Sequence, residues 1–335
     1  MAPTLDVLST TLRYLRDEHA DALFKKNNFL HGMTERGGKE EVDGGSSISR
    51  PIAWERIGGT TDLSPNGYAA LPITAGNHMR SANYDWARLA RTVVISGKDQ
   101  DENRGERAIL SLLEKKAKIE MGALSEQIND QVLRGGLLGS LNTLNGFGGG
   151  PGFLEDAAPA AQVGTVGGLS KVGSPRGWKN QYGDIAGDFS TNGLAAMHDM
   201  YVATRNLSET KDSGKCFIVS STAGFTNYKR SLEQRERYID QKSLDGGLMT
   251  LMYHDSPLFF DGGMPDNGGA DDEFSFYFID TDALKLVYLK DRWFDTSDFK
   301  EHPDYDAFVA KIIWQGQLVA DHLGSLGVLQ GGDTF

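Results

Sequence analysis

The stretch "NRGERAILSLLEKKAKIEMGALSEQINDQVLRGG" sets the frame for everything around it. Ile109, Leu112, Leu113, Ala117, Met121, Leu124, Ile128 and Val132 recur at three- and four-residue steps, the stripe of an amphipathic helix. Asn103 followed by Glu106 reads as a capping box, and Gly135–Gly136 as a stop. The spacing predicts a helix over 103–134, a rod of roughly 45 Å at ~1.5 Å per residue. That is long for a globular domain, where the mean helix has ~11–12 residues.

Upstream, "GGSSISRPIAWERIGGTTDLSPNGYAALP" (Gly44 to Pro72) reads as two short strands, "SRPIAWERI" and "NGYAALPI". Gly58, Gly59, Pro65, Asn66 and Gly67 supply the turn between them. Alternation puts Ile52 and Trp54 on one face, Ala53, Glu55 and Ile57 on the other. An isolated two-stranded hairpin is marginal in water, so something must cover it.

A chain of 335 residues can bury a proper core as one large domain or two ordinary ones. Its 41 glycines exceed the usual ~7% and imply many turns and irregular loops. A net charge of −12 argues against a broad basic nucleic-acid groove and against anionic membranes. No run approaches the ~18 apolar residues of a membrane span, and the N-terminus lacks the apolar core of a signal peptide. The single Cys216 cannot form an intramolecular disulfide; within "KCFIVSS" it reads as a core filler.

Residues 4 to 25 carry Leu5, Leu8, Leu12, Leu15, Ala22 and Leu23 at helical spacing. "NNFLHGMTERGGKEEVDGGSS" reads as an extended connector, "RTVVISG" as a strand, and residues 142 to 175 as a long loop or surface lobe. From there helices and strands alternate. Helix "TNGLAAMHDMYVATRNL", strand "KCFIVSS" and helix "AGFTNYKRSLEQRERYI" precede strands "GLMTLMY", "PLFFDG", "FSFYFID" and "ALKLVYL". Phe308 to Val328 supplies two closing strands. The fold class is α+β, with no internal repeat.

Catalytic motifs are thin. "NGFGGGPGF" and "GGLSK" lack the strand–loop–helix setting and residues of a phosphate loop. No nucleophile elbow or His-Glu-x-x-His pair occurs. His198 reads as a packing or surface residue. Asp255, Asp261, Asp266, Asp271, Asp272 and Glu273 crowd one segment without the spacing of a calcium loop, and read as a solvated acidic loop. The rival enzyme reading would use that segment as a metal site. Nothing assembles an acid, a base and an electrostatic stabiliser, so no enzyme activity, cofactor or metal is expected. Of the five tryptophans, Trp54 stands out: it sits on a hairpin with no visible core of its own, which points to burial against another molecule, the alternative being a hairpin folded back on its own chain.

Four runs, in order, resemble the major capsid proteins of tailed double-stranded DNA bacteriophages: "YDWARLARTVVISGKDQDENRGERAILSLL", "CFIVSSTAGFTNYKRSLEQRERY", "GLMTLMYHDSPLFFDGGMP" and "FYFIDTDALKLVYLKDRWF". The resemblance spans essentially the whole chain. It implies an N-terminal arm at 1–43, an extended β-hairpin loop at 44–83, and a peripheral domain at 84–145 holding the spine helix. An axial domain at 146–302 and a return to peripheral strands at 303–335 would follow. The hairpin would then be covered by a neighbouring subunit within a hexamer or pentamer. Ile52, Trp54, Ile57, Tyr68 and Leu71 of the loop, with Leu12 and Leu15 of the arm, are the expected interface residues.

The implied partners are copies of the chain itself, a separate scaffolding protein, a portal and a decoration protein, around packaged double-stranded DNA that is enclosed without specific binding. The implied location is the virion, with assembly in the host cytoplasm. The arm helix begins within five residues of Met1, which favours the separate scaffold over a fused segment. Some members join a loop Lys to a neighbour's Asn covalently. Here no Lys lies between Lys39 and Lys98, so no such bond is expected. An encapsulin-like nanocompartment shell carrying enzyme cargo is the alternative within the same fold.

Overall fold

The computed structural model describes residues 5–24, 27–54, 78–102, 106–134, 152–210, 212–233, 251–264 and 274–331. The long helix is present as α4 (Glu106–Arg134), and α1 (Leu5–Phe24) lies along it. Ile109, Leu113, Ala117, Met121, Leu124, Ile128 and Val132 are all buried, as the stripe requires, while Leu112 stays half-exposed at its border. Asn103 falls outside the described residues. A reciprocal capping box occurs one step earlier: Ser96 Oγ accepts from the Asp99 amide at 3.2 Å, and Asp99 Oδ2 accepts from the Ser96 amide at 3.1 Å. It opens the short helix α3 (Gly97–Glu102).

The expected connector after α1 is instead built. Phe29, Leu30 and Met33 sit three and four apart, are fully buried, and form α2 (Asn28–Glu35). The Gly37–Gly38 pair ends that helix, and β1 (Lys39–Val42) then pairs in parallel with β12 (Leu284–Leu289). Glycine punctuation had masked both elements.

A first sheet is organised on the 14-residue β15 (Ala307–Ala320). Along one edge β15 pairs antiparallel with β4 (Ala87–Ser96), from Ala307↔Ser96 to Gly316↔Ala87. Along the other it meets β12, β13 (Asp295–Thr296) and β14 (Lys300–Glu301). Its inward residues Ala310, Ile312 and Trp314 face Val93 and Ile95 of β4, and α4 packs against β4. The second sheet runs β7 (Gln181–Ile185), β16 (Gly327–Gly331), β11 (Phe274–Asp280), β8 (Cys216–Ser220), β10 (Ser256–Phe260), β9 (Leu251–Tyr253). Helices α5 (Leu194–Leu207) and α6 (Thr222–Glu233) pack on it.

Central strands of the second sheet alternate between two cores, as a period of two dictates. Phe217, Val219, Tyr277, Ile279 and Val328 join a core shared with the first sheet and α4. Ile218, Phe276, Phe278 and Leu329 join a second core beneath α5 and α6. Each buried side chain of this size contributes ~1.5–3 kcal/mol. Cys216 is buried in β8 as expected, and burial, with the nearby Asp280 carboxyl adding, pushes its thiol up to about 12.

The expected boundary at 302/303 does not coincide with the sheets. Strands β12, β13 and β14 precede it yet belong to the first sheet, and β16 follows it yet belongs to the second. The two later crossings between sheets, Thr281–Ala283 and Asp321–Leu326, lack any Pro, Gly-pair or charge run that would mark a domain seam. Two short strands, β5 (Thr165–Val166) and β6 (Leu169–Ser170), form a small hairpin inside the segment read as a loop or lobe.

Candidate assembly surface

The extended hairpin begins as β2 (Ser47–Ala53) and β3 (Met79–Asp85), in register from Ser47↔Asp85 to Ala53↔Met79. One more rung joins the Trp54 amide to the His78 carbonyl at 2.9 Å. The partner strand is therefore "MRSANYD" rather than "NGYAALPI", which lies outside the described residues, as do Ile57, Tyr68 and Leu71. The hairpin is longer than the turn chemistry suggested.

One face of this base is covered by the chain's own glycine-rich segment. Ile48, Ile52, Ala82 and Tyr84 are buried. The β5–β6 turn rests on them: the Asn83 amide donates to the Gly167 carbonyl at 2.9 Å, and a Cβ on Gly167 would lie 2.7 Å from the Ala82 Cβ. Phe153 stacks on Tyr84 at 6.3 Å. Trp54 packs half-buried against Trp178 at 6.5 Å, with the Arg80 guanidinium 4.4 Å above its ring. The Tyr84 hydroxyl donates to the Ala320 carbonyl at 2.9 Å, and burial raises its pKa.

That covering segment is held by a buried ion pair. Lys171 is fully buried and meets Glu155 at 3.0 Å, also donating to the Phe153 carbonyl and Asn180 Oδ1. Burial lowers the Lys171 pKa, against the pull of Glu155. Burial works to raise the Glu155 carboxyl, but hydrogen bonds from Lys171, Val163 and Gly164 outweigh it and bring it below the usual range. The lysine of "GGLSK" thus serves packing.

Two corrections follow for the expected interface residues. Leu12 and Leu15 are buried between α1 and the rest of the chain's core, and Ile52 lies under the β5–β6 lobe, so none offers surface to a neighbour. Trp54 keeps part of its ring exposed but has partners at home. Large apolar side chains left open among the described residues include Met79 on the hairpin's outer face, Tyr14 on α1, Ile119 on α4 and Val94 on β4. Of these, Ile119 carried a sequence signal, as an apolar residue off the α4 stripe.

Asp261 was read within a solvated acidic loop; it is buried instead. Its carboxylate accepts from the Phe29 amide at 3.0 Å, Asn129 Nδ2 at 3.0 Å and the Gly263 amide at 2.8 Å, capping α2 and tying it to α4. Asp266, Asp271, Asp272 and Glu273 lie outside the described residues. His198 is exposed on α5, 5.6 Å from the His254 ring. Among the described residues no three His, Cys, Asp or Glu side chains are placed to share a metal ion, and no helix is long and apolar enough to cross a membrane.

No family model and no curated protein matches this sequence. Solved structures do match over nearly its whole length. A subunit of the cyanophage A-1(L) capsid superposes with a TM-score of 0.60 at 18% identity, covering 90% of this chain and 92% of the other. The chain has the tailed-phage capsid fold. The capsid of a native GTA particle shares that fold at a TM-score of 0.58 and 13% identity, with 90% of each chain covered. So does the SrpI encapsulin of Synechococcus elongatus, at 0.52 and 11%, covering 87% and 83%. In the capsid fold α4 is the spine, and β2–β3 is the root of the extended loop.

Proposed function

We propose that this chain is the major capsid protein of a tailed phage or prophage-derived particle, the subunit of a closed icosahedral shell around double-stranded DNA. The observation that carries the reading is the likeness to capsid subunits over 90% of this chain. The physics agrees: a finger of two strands is marginal alone, and its cover beyond the base is supplied by another copy. Many weak contacts repeated in a closed symmetric shell add to a stability that no single interface reaches. Copies would form hexamers and pentamers on a separate scaffolding protein, with a portal and decoration protein, as components of the virion.

Ile57, Tyr68 and Leu71 of the finger, with the open part of Trp54, are the interface residues of this proposal. Size-exclusion chromatography with negative-stain microscopy tests it. Closed particles are expected; a small soluble oligomer under all assembly conditions would refute it. The likeness to the SrpI encapsulin supports one alternative, a nanocompartment shell, and the contents of purified particles decide between DNA and enzyme cargo.

A further inference from the structure

A cleft of about 390 Å³ opens where the C-terminal half of α4, the start of α2 and the loop after β10 meet. Glu126, Asp130 and Asp261 line it against a single guanidinium, Arg134, whose Nε is already committed to the Gly263 carbonyl at 3.0 Å. Asp261 spends its oxygens on α2, α4 and Gly263. Glu126 and Asp130 form no ion pair among the described residues. They stand four apart on one helix face, near the helix's negative end, and both features cost stability for carboxylates. Burial pushes the Asp130 carboxyl up, Arg134 opposes this, and Asp261 and Glu126 add to it.

Asn129 points to a ligand independently. It is 4% exposed and lines the cleft; its Nδ2 donates to Asp261, while its Oδ1 accepts nothing among the described residues. A buried acceptor left without a donor keeps its full cost of desolvation. Among the described residues the site holds one cation, Arg134, against three carboxylates, which leaves it short of positive charge. A bare metal ion does not suit it, since among the described residues its three carboxylates are not placed to share one ion and the cleft is far larger than an ion. A side-chain ammonium, with three donors, does.

The chain displays such ammonium groups elsewhere. Lys300 of β14 faces Val309 across the ladder, and Lys311 projects from the same face of β15 two residues on. Both are exposed, and neither forms an ion pair among the described residues. They are out of reach of their own cleft. Val309 pairs with Val94, whose carbonyl accepts from Lys116 Nζ at 3.0 Å, so the lysines sit level with Lys116. Asp130 lies a further ~21 Å along α4 at ~1.5 Å per residue.

We propose that the acidic cleft receives the ammonium groups of Lys300 and Lys311 from a neighbouring copy. Two different patches of one chain then meet head to tail, the arrangement that closes rings of identical subunits. This rests on the shell reading above for its neighbouring copy. Zero-length carbodiimide coupling of particles assembled from mixed unlabelled and ¹⁵N-labelled chains tests it, with mass spectrometry of the linked peptides. Links between Lys300 or Lys311 of one chain and Glu126 or Asp130 of another are expected. Shells that yield no such link, or only links within one chain, overturn this inference and leave the shell reading standing; chains that never associate overturn the shell reading itself. Lys311→Glu is expected to lower particle yield at least tenfold, and Glu126→Lys added to it to restore yield. A yield unchanged by Lys311→Glu, or not restored by Glu126→Lys, counts against the pairing.

Discussion

Gly167 shows how one residue decides a contact between elements. Its φ is +55°, that of Gly168 is +76°, and together they make the tight turn between β5 and β6. Only Gly167 faces the hairpin base, where an added Cβ would meet Ala82 at 2.7 Å; around Gly168 there is open space. Gly167→Ala therefore adds a clash to backbone strain and is expected to cost ~2–3 kcal/mol, and Gly168→Ala ~1 kcal/mol. Urea denaturation of the two variants separates the terms; equal losses would mean that the close approach is unimportant. Asp99 makes a second residue-scale case. The hydrogen bond from Lys116 at 2.7 Å, followed by those from the Ser96 hydroxyl and amide, holds its carboxyl down at about 2 from the usual 3.8. A depressed carboxyl contributes stability above its unfolded pKa and loses it as pH falls through the folded value. Asp99→Asn should thus destabilise at neutral pH by about 1 kcal/mol or less, and the gap from the native chain should close between pH 4 and pH 2. A gap constant across that range in pH-dependent thermal melts would show that Asp99 acts through capping geometry alone.

At the scale of elements, the β5–β6 lobe is a lid for the root of the hairpin, and Lys171 pins it. Lys171→Met leaves Glu155 with two amide donors but no counter-charge in a mostly buried site, so a loss of ~3 kcal/mol is expected. Adding Glu155→Gln should recover part of that loss, because it removes the uncompensated buried charge and its single amide oxygen still accepts from one of the Val163 and Gly164 amides, the other being left without its acceptor. Proteolysis within 152–180 of the single variant, with protection regained in the double, is the measurement; no recovery would place Lys171's role in its shape. The same lobe marks where the sequence stops being legible. Periodic elements were readable because their signal is local: the α4 stripe, the strand "RTVVISG" and the alternating run around Cys216. The lobe carries no period, since its cover comes from Phe153, Val166 and Trp178, apolar residues scattered through a segment rich in glycine. α2 was hidden by its shortness and flanking glycines. The register of the extended hairpin followed the nearest turn residues in the reading, whereas pairing runs to Asp85, more than thirty residues from its partner Ser47. Leu12 and Leu15 were misplaced at an interface because periodicity shows that a face is buried but not what buries it.

The described residues form two sheets over two hydrophobic cores, with a spine helix along one sheet and a two-stranded finger rooted between them. Such a subunit presents many edges and few large apolar patches, which suits an assembly held by repetition. Members of the resembled family that weld their shells need a nucleophilic ammonium on the finger, close to a neighbour's amide. Between Lys39 and Lys98 this chain has none. Lys39 itself lies in β1 of the first sheet, with its ammonium 3.8 Å over the Trp293 ring. An arginine on the finger cannot substitute, because its guanidinium stays protonated and does not attack an amide at neutral pH. Mature particles boiled in detergent should therefore migrate as one band of about 36.5 kDa. The particles should also fall apart in concentrated guanidinium chloride, since no covalent mesh survives once packing is lost. A ladder of subunit multiples would show that a lysine outside the finger reaches a neighbour's amide, and the cohesion of the shell would then have to be reassigned from packing to covalent bonds.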